Sequence, residues 1–309
     1  MIVLAIVVLF AVATGALLVG GRHAVSAETP LDVEPQEQWL LRHAPASWSK
    51  VLRRLDRRAI GGAAVVVTFL VVLGVASLVG WIFAGIDRTS GLARWDQSAA
   101  EFGRDNATDT STSVLTAVTD LGGTLVLFAV MAVVGIVISV RRSNWGPLIY
   151  LGAVGGGVSL LNNGLKLIVD RPRPDIAQLA GYAGSSFPSG HSAAAAACWA
   201  AIALVATRRS RHSVRVAAAF LAITVGAAVA ATRVLLGVHW LSDVVAGVLV
   251  GWGWFFVVTL LFGGRLLRLG EPAERLADRD DAETDHATNG DTVTDADDTR
   301  LHHAAEGTR

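Results

Sequence analysis

The sequence predicts an all-α fold, a polytopic transmembrane helix bundle, and three observations predict it. The 309 residues are 52% apolar and only 17% charged, with a mean hydropathy of +0.51. That is too little charge to cover a soluble surface, but it suits helices whose faces meet lipid. Apolar runs of bilayer length recur along the chain, and the arginines gather at every second link between them.

Seven runs are long enough, or nearly so, to span a bilayer: about 1–20, 60–86, 122–140, 147–168, 192–207, 214–232 and 240–262. The expected organisation is a six-helix core over 59–263 with one extra N-terminal helix at 1–20. The first run has no positive n-region and is followed by Arg22, which favours an uncleaved helix with its N-terminus outside. Between them, 21–58 mixes Trp39, Leu40, Leu41, Trp48, Val51 and Leu55 with basic residues, the pattern of an amphipathic linker on the inner membrane surface. Residues 264–309 are acidic and nearly devoid of large apolar side chains beyond their first few positions, so a disordered tail is expected. Trp81, Trp145 and Trp240 fall near span ends, as an aromatic belt would. The single cysteine, Cys198, lies within an apolar run and reads as a small buried residue.

Orientation follows from the positive charges. Lys50, Arg53, Arg54, Arg57 and Arg58 precede the second run, and Arg141 and Arg142 follow the third. Arg208, Arg209, Arg211 and Arg215 separate the fifth and sixth, and Arg265 and Arg268 follow the seventh. If every run crosses, all of these lie on one side, which is then cytoplasmic, with the C-terminus. Segments 87–121, 169–191 and 233–239 fall on the other side. The chain is therefore expected to be a multi-pass protein of the plasma membrane.

Three segments at that second side carry chemistry. The first runs from Lys166 to Pro174, where Pro172 and Pro174 end the helix and carry Arg171 and Arg173 out with it. Alone it reads as a basic flank with a proline stop, and Arg171 as a ligand contact or, preferably, a solvated loop residue. The second is Ser185-Ser186-Phe187-Pro188-Ser189-Gly190-His191, just before an Ala-rich run. Ser189 is placed to cap the helix, and free amides at its start can hold an anion beside His191. Alone, this is a plain helix cap with an incidental histidine. The third holds Arg233, His239 and Asp243. His239 and Asp243 are four apart and share a face if helical, so the carboxylate can fix the imidazole tautomer. An Asp one turn inside an apolar run is costly without a partner, which favours function over a structural role. Asn162 and Asn163, one turn inside the fourth run, either line the site or bridge helices, with the bridging role preferred. Asp87, Arg94, Asp96 and Arg104 occupy the outer 87–121 segment, a lid or lipid entrance, without an assigned role.

At these residues the chain resembles the type 2 phosphatidic acid phosphatase superfamily, the lipid phosphate phosphatases. The family pattern stands here as Lys166…Arg173-Pro174, Pro188-Ser189-Gly190-His191 and Thr232-Arg233…His239…Asp243, with all spacings kept. Thr232 replaces the family serine. The resemblance covers about 60–262 and implies that His239 attacks phosphorus, that Asp243 orients it, and that His191 protonates the leaving oxygen. It implies that Lys166, Arg173, Ser189, Gly190 and Arg233 bind the phosphate oxygens. Phosphoryl transfer needs mainly positioning and charge stabilisation, which fixed cations supply, so no cofactor and no metal are expected.

The expected substrate is a lipid phosphate or diphosphate met at the membrane, with no nucleic-acid partner. An outward site points to envelope carriers such as undecaprenyl or decaprenyl diphosphate, with phosphatidic acid and phosphatidylglycerol phosphate as the other options. Two rivals share the residues. A phosphotransferase would pass the same phosphohistidine to an alcohol, and a transporter of phosphorylated lipids would place its ionisable groups near mid-membrane.

Overall fold

Proline, glycine and arginine divide the chain at nearly the places the apolar runs predict. A computed structural model describes residues 4–10, 57–175 and 184–263, with side chains for 4–10, 66–175 and 184–262. The chain divides into two compact units, Met1–Asp32 with Ala64–Arg265, and Val33–Ala63 with Leu266–Arg309. The second is described only over 57–63. The expected linker, apart from its last two residues, and all of the expected acidic tail lie outside the described residues. So does most of the N-terminal run.

The helices are α1 (Arg57–Ile86), α2 (Asp96–Asp105), α3 (Asp109–Asp120), α4 (Thr124–Arg142), α5 (Gly146–Ile168), α6 (Gly190–Thr207), α7 (His212–Leu235) and α8 (Leu241–Gly263). A 3-10 turn, Gly91–Trp95, leads into α2. Among the described residues six helices, α1 and α4 to α8, are long and apolar enough to cross a membrane. These are the second to seventh runs, and the fold is the all-α transmembrane bundle expected. The sixth run continues past 232 because Arg233 finds a partner inside the bundle instead of ending the helix. Residues 4–10 are helical, and Ile6 and Phe10 are fully buried, with the Phe10 ring edge-on to Trp254 at 5.9 Å.

The punctuation has local causes. Pro147 sits in the first turn of α5, where a missing amide hydrogen costs nothing. Thr108 and Ser111 form a capping box at the start of α3. Helix α4 ends on Arg141 and Arg142, favourable at a negative helix end, with Ser143 left-handed beyond them.

Helix α6 is the hub and packs against α4, α5, α7 and α8. Its alanines make this possible: Ala193, Ala195, Ala196, Ala197 and Ala201 are all buried, and small side chains let neighbouring backbones come close. Helix α8 comes close at two glycines: an added Cβ at Gly247 would lie 2.5 Å from the Ser189 carbonyl oxygen, and one at Gly251 2.3 Å from that of Ala193. The contact at Gly247 brings the N-terminus of α6 against the first turns of α8. The C-terminal ends of α5 and α7 meet them there, with α2 and α3 packed on α7.

Candidate active site

Helix α7 is stopped by Gly237, whose φ of +67° is a conformation only glycine adopts freely. The amide of Gly237 donates to the Val234 carbonyl at 2.9 Å and that of His239 to the Arg233 carbonyl at 3.1 Å. His239 is thereby tied to the last turn that carries Arg233. Helix α8 starts two residues later. Asp243, in its first turn, reaches back and accepts the Trp240 amide at 3.0 Å, as the acidic member of a capping box does.

Asp243 is fully buried. One carboxylate oxygen accepts from the Arg171 guanidinium and the other from the Ser186 hydroxyl. His239 is also buried, and its Nδ1 stands 3.5 Å from Asp243 Oδ2, close but short of hydrogen-bond geometry. Its Nε2 stands 3.2 Å from Nη1 of Arg173, which also donates to the Val238 carbonyl at 2.7 Å. Burial holds the His239 imidazole at about 4, below the usual histidine range. The nearby Asp243 carboxylate opposes that shift, while Arg173 and Arg233 add to it.

The other cations surround this pair. Arg233 is 4% exposed and donates to the Thr119 hydroxyl at 3.0 Å, while its Nε has no partner among the described residues. Lys166, in the last turn of α5, and His191, in the first turn of α6, line a cavity of about 180 Å³ with Gly190, Asn162 and Asn163. His191 feels the charges of Arg233, His239, Lys166 and Arg173. Ser189 is buried, and its oxygen accepts from the Ser192 hydroxyl, leaving its own proton to donate. The amides of the first turn of α6 have no preceding helical carbonyl, so this end of the helix favours an anion. The arrangement can hold a tetrahedral oxyanion and set an imidazole nitrogen against it.

The model of the PAP2 superfamily matches residues 146–266. A phosphatidylglycerophosphatase B of Bacillus subtilis is 36% identical over 151 residues, 47% of this chain and 72% of its own length. The chain belongs to the PAP2 superfamily. A lipid A 1-phosphatase of Rhizobium etli is 40% identical over 116 residues, and the chain spans 46% of that protein's length. The crystal structure of a transmembrane PAP2-type phosphatidylglycerolphosphate phosphatase from Bacillus subtilis superposes with a TM-score of 0.57 at 29% identity. It covers 61% of this chain and 94% of its own.

In this PAP2 protein the three predicted segments do meet, and several local expectations change. Arg171 is no solvated loop residue: its side chain is 10% exposed and pairs with both Asp96 and Asp243. His239 and Asp243 do not share a helix face, because His239 lies in the turn before α8 and the carboxylate folds back to reach it. Ser189 occupies the cap position of α6 without a capping side-chain bond. Trp240 belongs to the site more than to a belt: its ring lies over Arg171 at 5.5 Å, and its indole nitrogen donates to the Pro172 carbonyl at 2.9 Å. Asn162 and Asn163 face the cavity, and Asn162 Oδ1 has no partner there.

Residues that the sequence left without a role also enter this candidate site. Asp96 and Ser242 bond one another and Arg171, and Thr119 holds Arg233. Both Asp96 and Thr119 precede the matched stretch, and nothing in their local sequence separates them from other polar residues of 87–121. Ser186 stood in a quoted segment, but no spacing rule told it from Ser185.

Proposed function

We propose that this chain hydrolyses a lipid phosphate or diphosphate through a phosphohistidine formed on His239. The observation that carries this reading is the division of the His239 ring, with Nδ1 toward Asp243 and Nε2 toward the Arg173 guanidinium. An imidazole so held presents a lone pair to the place where an anion is drawn. In the first step Nε2 attacks phosphorus, the phosphorus–oxygen bond to the lipid breaks, and His191 gives its proton to the leaving oxygen. In the second, water attacks the phosphohistidine, its proton passes to His191, and inorganic phosphate leaves with His239 restored. Lys166, Arg173, Arg233, Ser189 and the Gly190 amide hold the three equatorial oxygens. Asp243 keeps the nucleophile's tautomer fixed and offsets the positive charge that develops on the ring. The cavity beside His191 gives the leaving portion of the lipid a polar place to stand.

The arginine-rich links support an extracytoplasmic site. Arg141, Arg142, Arg208 and Arg209 lie at the opposite helix ends from His191 and His239. That placement favours lipid phosphates and diphosphates of the outer leaflet. The clustering of ionisable groups at span ends favours an enzyme over a transporter with a mid-membrane site.

The test is phosphate release by purified protein in detergent with EDTA present. Phosphatidylglycerol phosphate, phosphatidic acid and a polyprenyl diphosphate are offered in turn. His239→Ala should lose turnover and Asp243→Asn should lose about 100- to 10,000-fold. Release that survives His239→Ala, or that EDTA abolishes, would overturn the mechanism.

A further inference from the structure

Arg171 bonds none of the groups assigned to phosphate. Its Nη1 meets Asp243 and the Ser242 hydroxyl, the latter at 2.8 Å, and its Nη2 meets Asp96 at 2.7 Å. Side-chain exposures are 10% for Arg171, 7% for Asp96 and 0% for Asp243, so the three charges answer to one another more than to solvent. Asp96 opens α2 and is itself anchored on α8. Its Oδ1 accepts the Ser242 amide at 2.8 Å and its Oδ2 the Ser242 hydroxyl at 2.6 Å. Trp240 covers the guanidinium from one side.

Capping the first turn of α8 would need only the Ser242 contacts. The planar guanidinium does more, because its two terminal nitrogens join two carboxylates on separate elements, a geometry that a lysine ammonium does not reproduce. One of those carboxylates is the one that faces the His239 ring. We infer that Arg171 and Asp96 are positioning residues for the reaction: Asp96 holds the guanidinium, and the guanidinium holds Asp243 in the rotamer that faces Nδ1 of His239. Asp96 lies outside the stretch matched by the family model, so the segment between the first two described spans completes the site.

The kinetic part of this inference rests on the phosphohistidine reading, and the electrostatic part stands without it. The charges facing His239 are Asp243 on α8, Arg173 in the loop after α5, Arg233 on α7 and His191 on α6. Lys166 on α5 acts on Asp243, and Asp120 at the end of α3 acts on Arg233. Arg171 and Asp96 make their contacts with the pair through Asp243 and the start of α8, so removing each should act on His239 with opposite sign. In Arg171→Gln the carboxylate of Asp243 acts on the ring without its counter-charge. In Asp96→Asn the whole charge of Arg171 falls on Asp243.

The experiment titrates His239 by NMR in the full-length protein in detergent, its signal assigned by its loss in His239→Ala. The His239 midpoint should rise by about one pH unit in Arg171→Gln and fall by about half a unit in Asp96→Asn. Arg171→Lys keeps the charge and loses the bridge, so the midpoint stays near wild type. If the wild type releases phosphate from lipid, all three variants should lower kcat about tenfold or more and leave KM within about twofold, since none touches substrate. Unmoved midpoints, or shifts of the same sign in Arg171→Gln and Asp96→Asn, would overturn the inference, as would a KM effect with kcat intact. If either variant fails to fold, the kcat and KM of Arg171→Lys decide. A wild type that releases no phosphate removes the parent reading, and the titration then decides the pairing by itself.

Discussion

The guanidinium of Arg173 stands 3.2 Å from Nε2 of His239. Arginine does not give up its proton in proteins, so Nε2 must be the acceptor and the ring hydrogen of the neutral imidazole sits on Nδ1, toward Asp243. That is the tautomer an attacking histidine needs. An arriving phosphate would take the guanidinium for its own oxygens and leave the lone pair facing phosphorus. Orthovanadate, which adopts the five-coordinate geometry of the transition state, should therefore inhibit the wild type. Arg173→Ala should weaken that inhibition about 10- to 100-fold, the loss expected for a charge-assisted hydrogen bond. An inhibition constant for vanadate that Arg173→Ala leaves unchanged would remove Arg173 from the anion site.

The buried ring of His239 titrates at about 4, below the usual histidine value of about 6.5. A histidine nucleophile, the role proposed for His239, works only when neutral, and here the neutral form prevails above about 4. Single-turnover release from a nitrophenyl phosphate, whose leaving group needs no proton from His191, should stay level from pH 7 to about 5. It should then fall about tenfold per unit below 4. Stability carries the same sign. The unfolded chain takes up the proton below about 6.5 and the folded one does not, so this contribution is whole above that value and declines as pH falls to about 4. A rate that already halves near pH 6.5 would contradict the burial argument.

The helices and the meeting of three segments were legible because each rests on local chemistry: apolar length, proline stops and the arginine bias. Lys166, Arg173 and Arg233, assigned to phosphate in the proposed reading, stood out because their spacing matches the pattern of the family the chain resembles. Arg171 was misjudged for the opposite reason. A loop arginine just before a proline looks solvated until its partners are known, and those partners, Asp96 and Asp243, lie 75 and 72 residues away along the chain. The carboxylate–imidazole contact was expected from a spacing of four on a helix. It forms instead because Asp243 bonds the Trp240 amide at the helix start. Spacing identified the pair; only the turn at Gly237 explains its geometry.

Thr232 stands where the family pattern has serine, and its hydroxyl donates to the Val229 carbonyl of its own helix at 2.6 Å. Both residues reach that carbonyl equally well, so Thr232→Ser should change kcat and KM by no more than about twofold. Thr232→Val keeps the shape, loses one buried hydrogen bond and should cost about 1 kcal/mol of stability. Activity measured beside thermal unfolding separates the two effects. A large loss of turnover in Thr232→Ser would place the hydroxyl at the phosphate and contradict its helical bond.

Two glycines of α8 let α6 approach, Gly251 beside Ala193 and, nearest the site, Gly247, whose added Cβ would stand 2.5 Å from the carbonyl oxygen of Ser189. That atom is backbone, so the clash cannot be relieved by turning a side chain. Gly247→Ala must push the N-terminus of α6 away from α8, and Ser189, Gly190 and His191 move with it. The Ser189 amide would also loosen its 3.0 Å bond to the Asp243 carbonyl. Overpacking of this kind costs about 1–3 kcal/mol. A shift of even 1 Å between acid and nucleophile can lower turnover about 100-fold. Gly247→Ala should therefore lower kcat far more than its modest loss of thermal stability explains. The control is Gly152→Ala on α5, where an added Cβ meets nothing within 4 Å and activity should stay at the wild-type level. Equal kcat in both variants would show that the approach of α6 to α8 does not set the geometry of the site.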